Sequence, residues 1–178
     1  VNTRHQRKKS QSSPIRKGLH PRNLHNQGYD FPALIASYPA LVSHVKPNPY
    51  GDLSIDFSNP LAVKTLNAAL LKRYYNIADW DIPDGVLCPP IPGRADYVHY
   101  IADLVGSENS DIKLLDIGTG ANGIYPLLAC RIYGWQCVGS DINTKSLANV
   151  KAIIASNPDL EDRFTLRTQN DKSHIFEG

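Results

Sequence analysis

Residues 116–123 have the sequence DIGTGANG, and this stretch is the most informative part of the chain for the fold class. The apolar residues 113–117 are typical of a short buried strand, and residues 124–133 have the pattern of a helix. The three glycines follow the spacing G-x-G-x-x-G of nucleotide-binding turns, which is a weak signal by itself. Between a strand and a helix, such a turn brings bare backbone and unpaired helical N–H groups close to a ligand.

The pattern of alternating strands and helices continues after the turn. Residues 136–141 are typical of a second strand, residues 144–156 of a helix and residues 164–168 of a third strand. Strands separated by helices of this length form parallel sheets with right-handed crossovers. Residues 107–178 are therefore predicted to be an α/β domain with a Rossmann-like, doubly wound sheet.

The acidic residue before the first glycine distinguishes between two cofactors. NAD would place an anionic pyrophosphate on this turn, and the carboxylate of Asp116 would repel it. S-adenosylmethionine (SAM) has no phosphate and carries a cationic sulfonium and ammonium, so Asp116 favours SAM. The alternative is that Asp116 only caps the strand-to-helix turn.

Two further residues are candidates for contacts to the nucleoside part of the cofactor. Asp141 is expected at the end of the second strand, where a carboxylate can accept hydrogen bonds from ribose hydroxyls. It could equally be the N-cap of the next helix. Ile142 is predicted to pack on the adenine or to belong to the core.

Residues 28–106 are predicted to form a helical extension. Residues 31–45 indicate two short helices divided by a proline, and Asn59-Pro60 is a favourable helix start. The proline and glycine content of residues 82–93 predicts irregular structure, and residues 95–105 are predicted to be helical.

Residues 1–27 are polar, and they contain seven basic and no acidic residues, whereas the rest of the chain has 12 basic and 17 acidic ones. This composition predicts a disordered arm that binds RNA phosphates by counterion release. A solvating tail, a cloning remnant or an organellar transit peptide are the alternatives. The basic residues of the arm are Arg4, Arg7, Lys8, Lys9, Arg16, Lys17 and Arg22.

The overall composition excludes several protein classes. No apolar run has the roughly 20 residues that span a bilayer. The three cysteines, Cys88, Cys130 and Cys137, have no metal-ligand spacing, so neither a metal site nor a disulfide framework is predicted. A soluble, cytoplasmic protein without membrane association is expected.

Five motifs together resemble one family. They are GLHPRN (18–23), DFSNPLAV (56–63), WDIPDG (80–85), CPPIPGRADY (88–97) and DIGTGANGIYP (116–126). The chain resembles the ribosomal large-subunit RNA adenine-N6 methyltransferase family, which also includes a eukaryotic methyltransferase acting on U6 small nuclear RNA. The resemblance extends from the first of these motifs to the last residue of the chain.

The resemblance implies a class I SAM-dependent methyltransferase fold and SAM binding by Gly118, Gly120 and Asp141. It implies that Arg94 pairs with the methionine carboxylate of SAM, as a guanidinium can; a surface arginine is the alternative. The implied reaction is N6-methylation of an adenine in 23S ribosomal RNA, at adenine 1618, by a monomeric full-length enzyme.

The sequence departs from the family in one respect that matters for catalysis. The family's catalytic motif, Asn-Pro-Pro-Phe after the fourth strand, does not occur between Val1 and Gly178, so no catalytic residue is assigned. As an N-terminal part of the fold, the chain is expected to be inactive alone. The first strand, residues 114–117, is expected to keep an unpaired apolar edge, which would make the chain aggregation-prone.

Three other functions are compatible with parts of the sequence. One is a non-catalytic RNA-binding remnant, and another is a methyltransferase that acts on a protein or a small molecule. An NAD-dependent enzyme is disfavoured by Asp116.

Overall fold

The computed structural model describes residues 18–109, 111–171 and 173–176. None of the helices in these ranges is both long and apolar enough to cross a membrane. The elements, in chain order, are α1 (Phe31–Ser37), a 3-10 helix (Pro39–His44), β1 (Val45–Pro47), β2 (Leu53–Ile55), α2 (Pro60–Tyr75), α3 (Ile91–Val105), β3 (Lys113–Ile117), α4 (Ile124–Tyr133), β4 (Gln136–Asp141), α5 (Thr144–Ala155), a 3-10 helix (Pro158–Leu160) and β5 (Phe164–Thr168).

The three strands after α3 form a parallel sheet in the order β3-β4-β5. Each strand is followed or preceded by a helix, so the predicted α/β architecture is confirmed. The register places Asp116 opposite Gly139, and Asp141 opposite Thr168. The carboxyl ends of the strands therefore meet at one edge, where ligands bind in open α/β sheets.

Strand β3 pairs with β4 alone within the described residues. Its side chains Leu115 and Ile117 are 40% and 43% exposed. The low solubility expected of such an edge stays a prediction.

The helical extension and the sheet share one hydrophobic core. Leu66 and Leu70 of α2 belong to the same buried cluster as Leu127 of α4 and Phe164 of β5. The extension therefore does not form a core of its own, and its helices pack directly against the sheet domain.

Helix α2 begins where the sequence predicts. The Asn59 side chain accepts hydrogen bonds from the backbone N–H groups of Leu61 (3.0 Å) and Ala62 (3.3 Å), and Pro60 is the first helical residue. The helix ends at Asn76 in the left-handed conformation, with φ +50°.

The structure departs from the sequence analysis in two places, a hairpin that was missed and a helix start that was predicted wrongly. Residues 45–55 form an antiparallel hairpin, β1–β2, whose three-residue strands are too short to produce a recognisable alternation. Helix α3 begins at Ile91, inside the stretch predicted to be irregular. Pro92 lies in the first turn of α3, where a proline has no hydrogen bond to lose.

The C-terminal part of the predicted disordered arm is folded. Residues 1–17 lie outside the described residues, but His20, Asn23 and His25 are buried. The Asn23 amide donates to the carbonyl of Pro92 at 2.9 Å, and His25 Nε2 lies 2.9 Å from the hydroxyl of Tyr75. Buried polar anchors of this kind have no hydrophobic periodicity, so the prediction of disorder for residues 18–27 was wrong.

Burial of His25 should make the stability of this segment pH-dependent. Burial, together with the nearby His99, lowers the pKa of His25 from 6.5 to about 4. Between these values the unfolded chain binds the proton more readily. The stability due to neutral His25 is thus complete above about pH 6.5 and is lost as the pH falls toward 4, by up to about 3 kcal/mol.

A His25→Gln variant, which keeps a hydrogen-bonding group opposite Tyr75, tests this effect. Urea unfolding at pH 7, 6, 5 and 4 should show a shallower loss of unfolding free energy for the variant than for the wild type. Parallel curves for the two proteins would contradict the assignment.

Candidate cofactor site

The glycine-rich turn is held against the end of β4. The backbone N–H groups of Gly118 and Thr119 both donate to the carbonyl of Ser140, at 2.8 and 3.0 Å. Gly118, Gly120 and Gly123 all have positive φ, between +57° and +76°. Residues with a Cβ atom adopt this conformation at a cost, which accounts for the three glycines.

The carboxylate of Asp141 connects the turn with the start of α5. One oxygen accepts from the N–H of Gly120 at 2.9 Å and the other from the N–H of Asn143 at 2.8 Å. The N-cap of α5 is Asn143, so the sequence-based alternative for Asp141 as that N-cap was wrong. Each oxygen of Asp141 retains a lone pair that can accept a hydrogen bond from a hydroxyl group.

A cavity of about 250 Å³ lies over the turn and contains four of the six predicted cofactor residues: Arg94, Asp116, Gly118 and Gly120. Asp141 borders it through its hydrogen bond to Gly120. Ile142 is 68% exposed beside Asp141, which excludes a core role. The other lining residues are Leu87, Pro89, Ile117, Thr119, Asn122, Ile124 and Tyr125.

The cavity favours a cationic ligand near β3. Burial raises the pKa of the Asp116 carboxyl, and the negative charge of Asp141 raises it further. The side chain of Thr119 in the turn opposes this rise in the pKa. The Asp116 carboxylate accepts no hydrogen bond from a backbone N–H of the described residues, and its alternative role as a cap of the turn stays a prediction. A positive group beside Asp116 would offset the cost of keeping this carboxylate ionised.

Arg94 supplies the positive charge of the cavity. Its Nη1 donates to the hydroxyl of Tyr125 at 2.8 Å, and its guanidinium carbon lies 5.5 Å from the centre of the Tyr125 ring. Arg94 is therefore held at the cavity by a specific contact, unlike a free surface arginine. Asp116 brings an acidic group and Arg94 a basic group to the same cavity, and this pair suits a zwitterionic ligand.

The helical extension fixes the shape of the turn. The indole nitrogen of Trp80 donates to the carbonyl of Asn122 at 3.0 Å. The amide nitrogen of Asn149 in α5 donates to the carbonyls of Ala121 (2.7 Å) and Asp81 (2.9 Å). These contacts join the extension, the turn and α5 at one point.

Sequence reasoning missed Tyr125, Trp80 and Asn149. Trp80 and Tyr125 lie inside motifs that carry the family resemblance, so those motifs were the available signal. Asn149 gave no signal, because a polar residue on a predicted helix is expected to face solvent.

Arg22 lies away from this cavity and is not a free basic group. Its Nη2 forms an ion pair with Asp103 at 2.6 Å, and its Nε donates to the hydroxyl of Tyr133 at 3.1 Å. It borders a second cavity of about 570 Å³ at the other end of α4, far from the glycine turn. Its role in RNA binding stays a prediction, and the other six basic residues of the arm lie outside the described residues.

Comparisons with solved structures give the class of the fold. A METTL16 methyltransferase domain (crystal form 2) is 33% identical, with a TM-score of 0.80, over 88% of this chain and 62% of that one. The N-terminal domain of human METTL16 in complex with SAH is 33% identical, with a TM-score of 0.79, over 88% of this chain and 61% of that one. The fold and the site define a class I SAM-dependent methyltransferase.

Sequence comparisons give the family. Residues 13–178 match the family described as RNA methyltransferase, and the chain belongs to this family. It is 60% identical to ribosomal RNA large subunit methyltransferase F of Shewanella baltica (strain OS185), over 92% of this chain and 46% of that protein. It is 55% identical to the protein of the same name from Saccharophagus degradans, over 97% and 58%. The chain spans about half the length of these curated relatives.

The glycines of the turn should differ in their tolerance of a methyl group. A Cβ atom on Gly123 would lie 2.9 Å from Val150 Cγ1, at a φ of +57°, whereas one on Gly118 would meet nothing within 4 Å. Gly123→Ala should therefore destabilise the chain by about 3 kcal/mol and Gly118→Ala by about 1–2 kcal/mol. Denaturant unfolding measures both values, and equal losses would argue against the contact with Val150.

Replacement of Asp116 by asparagine should separate stability from ligand affinity. Because the pKa of Asp116 is raised in the folded chain, stability is lost as the pH rises through that pKa, and the uncharged amide removes this loss. At pH 7, Asp116→Asn should therefore raise the melting temperature of the ligand-free chain.

The same variant should bind SAM on the order of tenfold more weakly. The loss should be smaller for S-adenosylhomocysteine (SAH), whose sulfur is uncharged. Calorimetric titration measures both affinities, with Gln136→Glu as a control, because this exposed residue at the start of β4 lies at the opposite end of the sheet from the cavity. An unchanged preference between SAM and SAH would refute the role of Asp116.

Proposed function

We propose that the protein transfers a methyl group from SAM to the N6 atom of an adenine in 23S ribosomal RNA, at adenine 1618. The observation that carries the proposal is the cavity over the glycine turn, which both Arg94 and Asp116 line. The names of the relatives, both ribosomal RNA large subunit methyltransferase F, support ribosomal RNA as the substrate.

The residues of the cavity fit SAM group by group. The Arg94 guanidinium matches the methionine carboxylate, and Asp116 matches the cationic end of the molecule. Asp141, with one lone pair left on each oxygen, matches the two ribose hydroxyls. The bare backbone at Gly118 and Gly120 gives the ligand room to approach the turn.

SAM supplies a methyl group on a positively charged sulfur. In the transfer, the lone pair of adenine N6 would form the new C–N bond as the C–S bond breaks, and N6 would release a proton to water. The sulfur becomes neutral, so the attraction to Asp116 weakens once the methyl group has left. A site of this kind accelerates the reaction mainly by aligning the nitrogen, carbon and sulfur atoms.

The acceptor adenine must be unstacked to reach the methyl group. The basic residues of the arm before Gly18 support RNA as the molecule that presents it, because six of them occur without any acidic neighbour. This charge holds the phosphate backbone and does not read the sequence, so the choice of adenine rests on other contacts.

A methylation assay tests the proposal. With methyl-labelled SAM, we expect label in unmethylated 23S ribosomal RNA, in an N6-methyladenine at position 1618 after nuclease digestion and mass spectrometry. The full-length protein that contains this chain is the enzyme to use, with its Asp116→Asn variant as the matched control.

The result distinguishes between the substrate classes. Label in a protein fraction, or in a small molecule, would overturn RNA as the substrate. Label in RNA at a position other than N6 of adenine would be consistent with an RNA methyltransferase and would overturn adenine N6 as the acceptor atom. The absence of SAM binding in a calorimetric titration would overturn the cofactor assignment itself.

A further inference from the structure

Arg94 has a charge that no acidic side chain neutralises. Within the residues that the structure describes, no carboxylate oxygen lies within 4.0 Å of its guanidinium nitrogens. The nearest acidic residue along α3, Asp96, instead accepts hydrogen bonds from the backbone of His20 and the side chain of Asn23. A half-buried arginine without an acidic partner indicates an anionic ligand.

Tyr125 holds this guanidinium in place. Its hydroxyl accepts the hydrogen bond from Nη1 of Arg94 at 2.8 Å, and its ring lies under the guanidinium carbon at 5.5 Å. The ring of Tyr97, one turn after Arg94 in α3, packs on the Tyr125 ring with 5.2 Å between the centroids. Tyr125 therefore lies between two side chains of α3, and its hydroxyl cannot move freely.

We infer that Tyr125 is a positioning residue, whose hydroxyl orients Arg94 for the α-carboxylate of SAM. This inference rests on the proposed function, because it requires SAM in the cavity. A guanidinium has five N–H donors, and the contact to Tyr125 uses one of them. The remaining donors on Nη2 and Nε can form the two parallel hydrogen bonds of a carboxylate pair.

The physical effect of Tyr125 is preorganisation. An arginine side chain has several rotatable bonds, and ordering them on binding opposes the association. The contact to Tyr125 orders them before the ligand arrives. Loss of the hydroxyl should therefore lower the affinity for ligands that contact Arg94 and leave the affinity for other ligands unchanged.

Tyr125→Phe removes the hydroxyl and keeps the ring. In calorimetric titrations of the full chain, we expect the dissociation constant of SAH to rise about tenfold. The dissociation constant of 5′-methylthioadenosine, which has the nucleoside and the sulfur but no carboxylate, should not change. The same substitution in an Arg94→Ala background should have no further effect on SAH, because the group that Tyr125 orients is absent.

A matched control is Tyr100→Phe, which removes an exposed tyrosine hydroxyl from the same helix as Arg94. It should bind SAH as the wild type does. Unchanged SAH affinity in Tyr125→Phe, or an equal loss for SAH and 5′-methylthioadenosine, would overturn the role of Tyr125. If the wild type binds neither compound, the proposed cofactor function fails. If the wild type binds both compounds and Tyr125→Phe loses affinity for both equally or for neither, only the role of Tyr125 fails.

Discussion

The amide of Asn149 joins the glycine turn to the helical extension. It donates to the carbonyl of Ala121 within the turn and to the carbonyl of Asp81 in the extension. Ala121 is buried, and a buried carbonyl left without a donor costs about 1–3 kcal/mol, so this amide stabilises the turn. The contact to Asp81 is exposed to solvent and contributes less. The turn is thus formed by residues from three parts of the chain, and the glycines provide only its permitted backbone angles.

The charges of the site oppose the stability of the ligand-free protein. Asp116 and Asp141 bring negative charge to the same sheet edge, and burial makes the ionisation of Asp116 less favourable. In the proposed function, the same arrangement attracts the cationic sulfonium of SAM, and this attraction weakens when the sulfur becomes neutral. The site is therefore expected to be less stable when it holds no cationic ligand.

The sequence was sufficient for the strand–turn–helix core and for four of the residues that line the cavity, Arg94, Asp116, Gly118 and Gly120. Periodicity predicts β3, α4, β4 and β5, because their local pattern and their buried faces agree. The contacts of Asn149 could not be predicted, since they join residues 28 and 68 positions apart. The short hairpin and the folded segment 18–27 were missed for a related reason: their stability comes from partners distant in sequence, not from local pattern.

Helix α3 makes two sets of contacts, one near each of its ends. Arg94 is in its first turn, and Asp103, nine residues later, holds His20 and Arg22. At 1.5 Å per residue, the two points are about 13 Å apart. Residues 20–22 and the cofactor cavity are therefore connected through a single helix, and a change in the position of α3 would affect both.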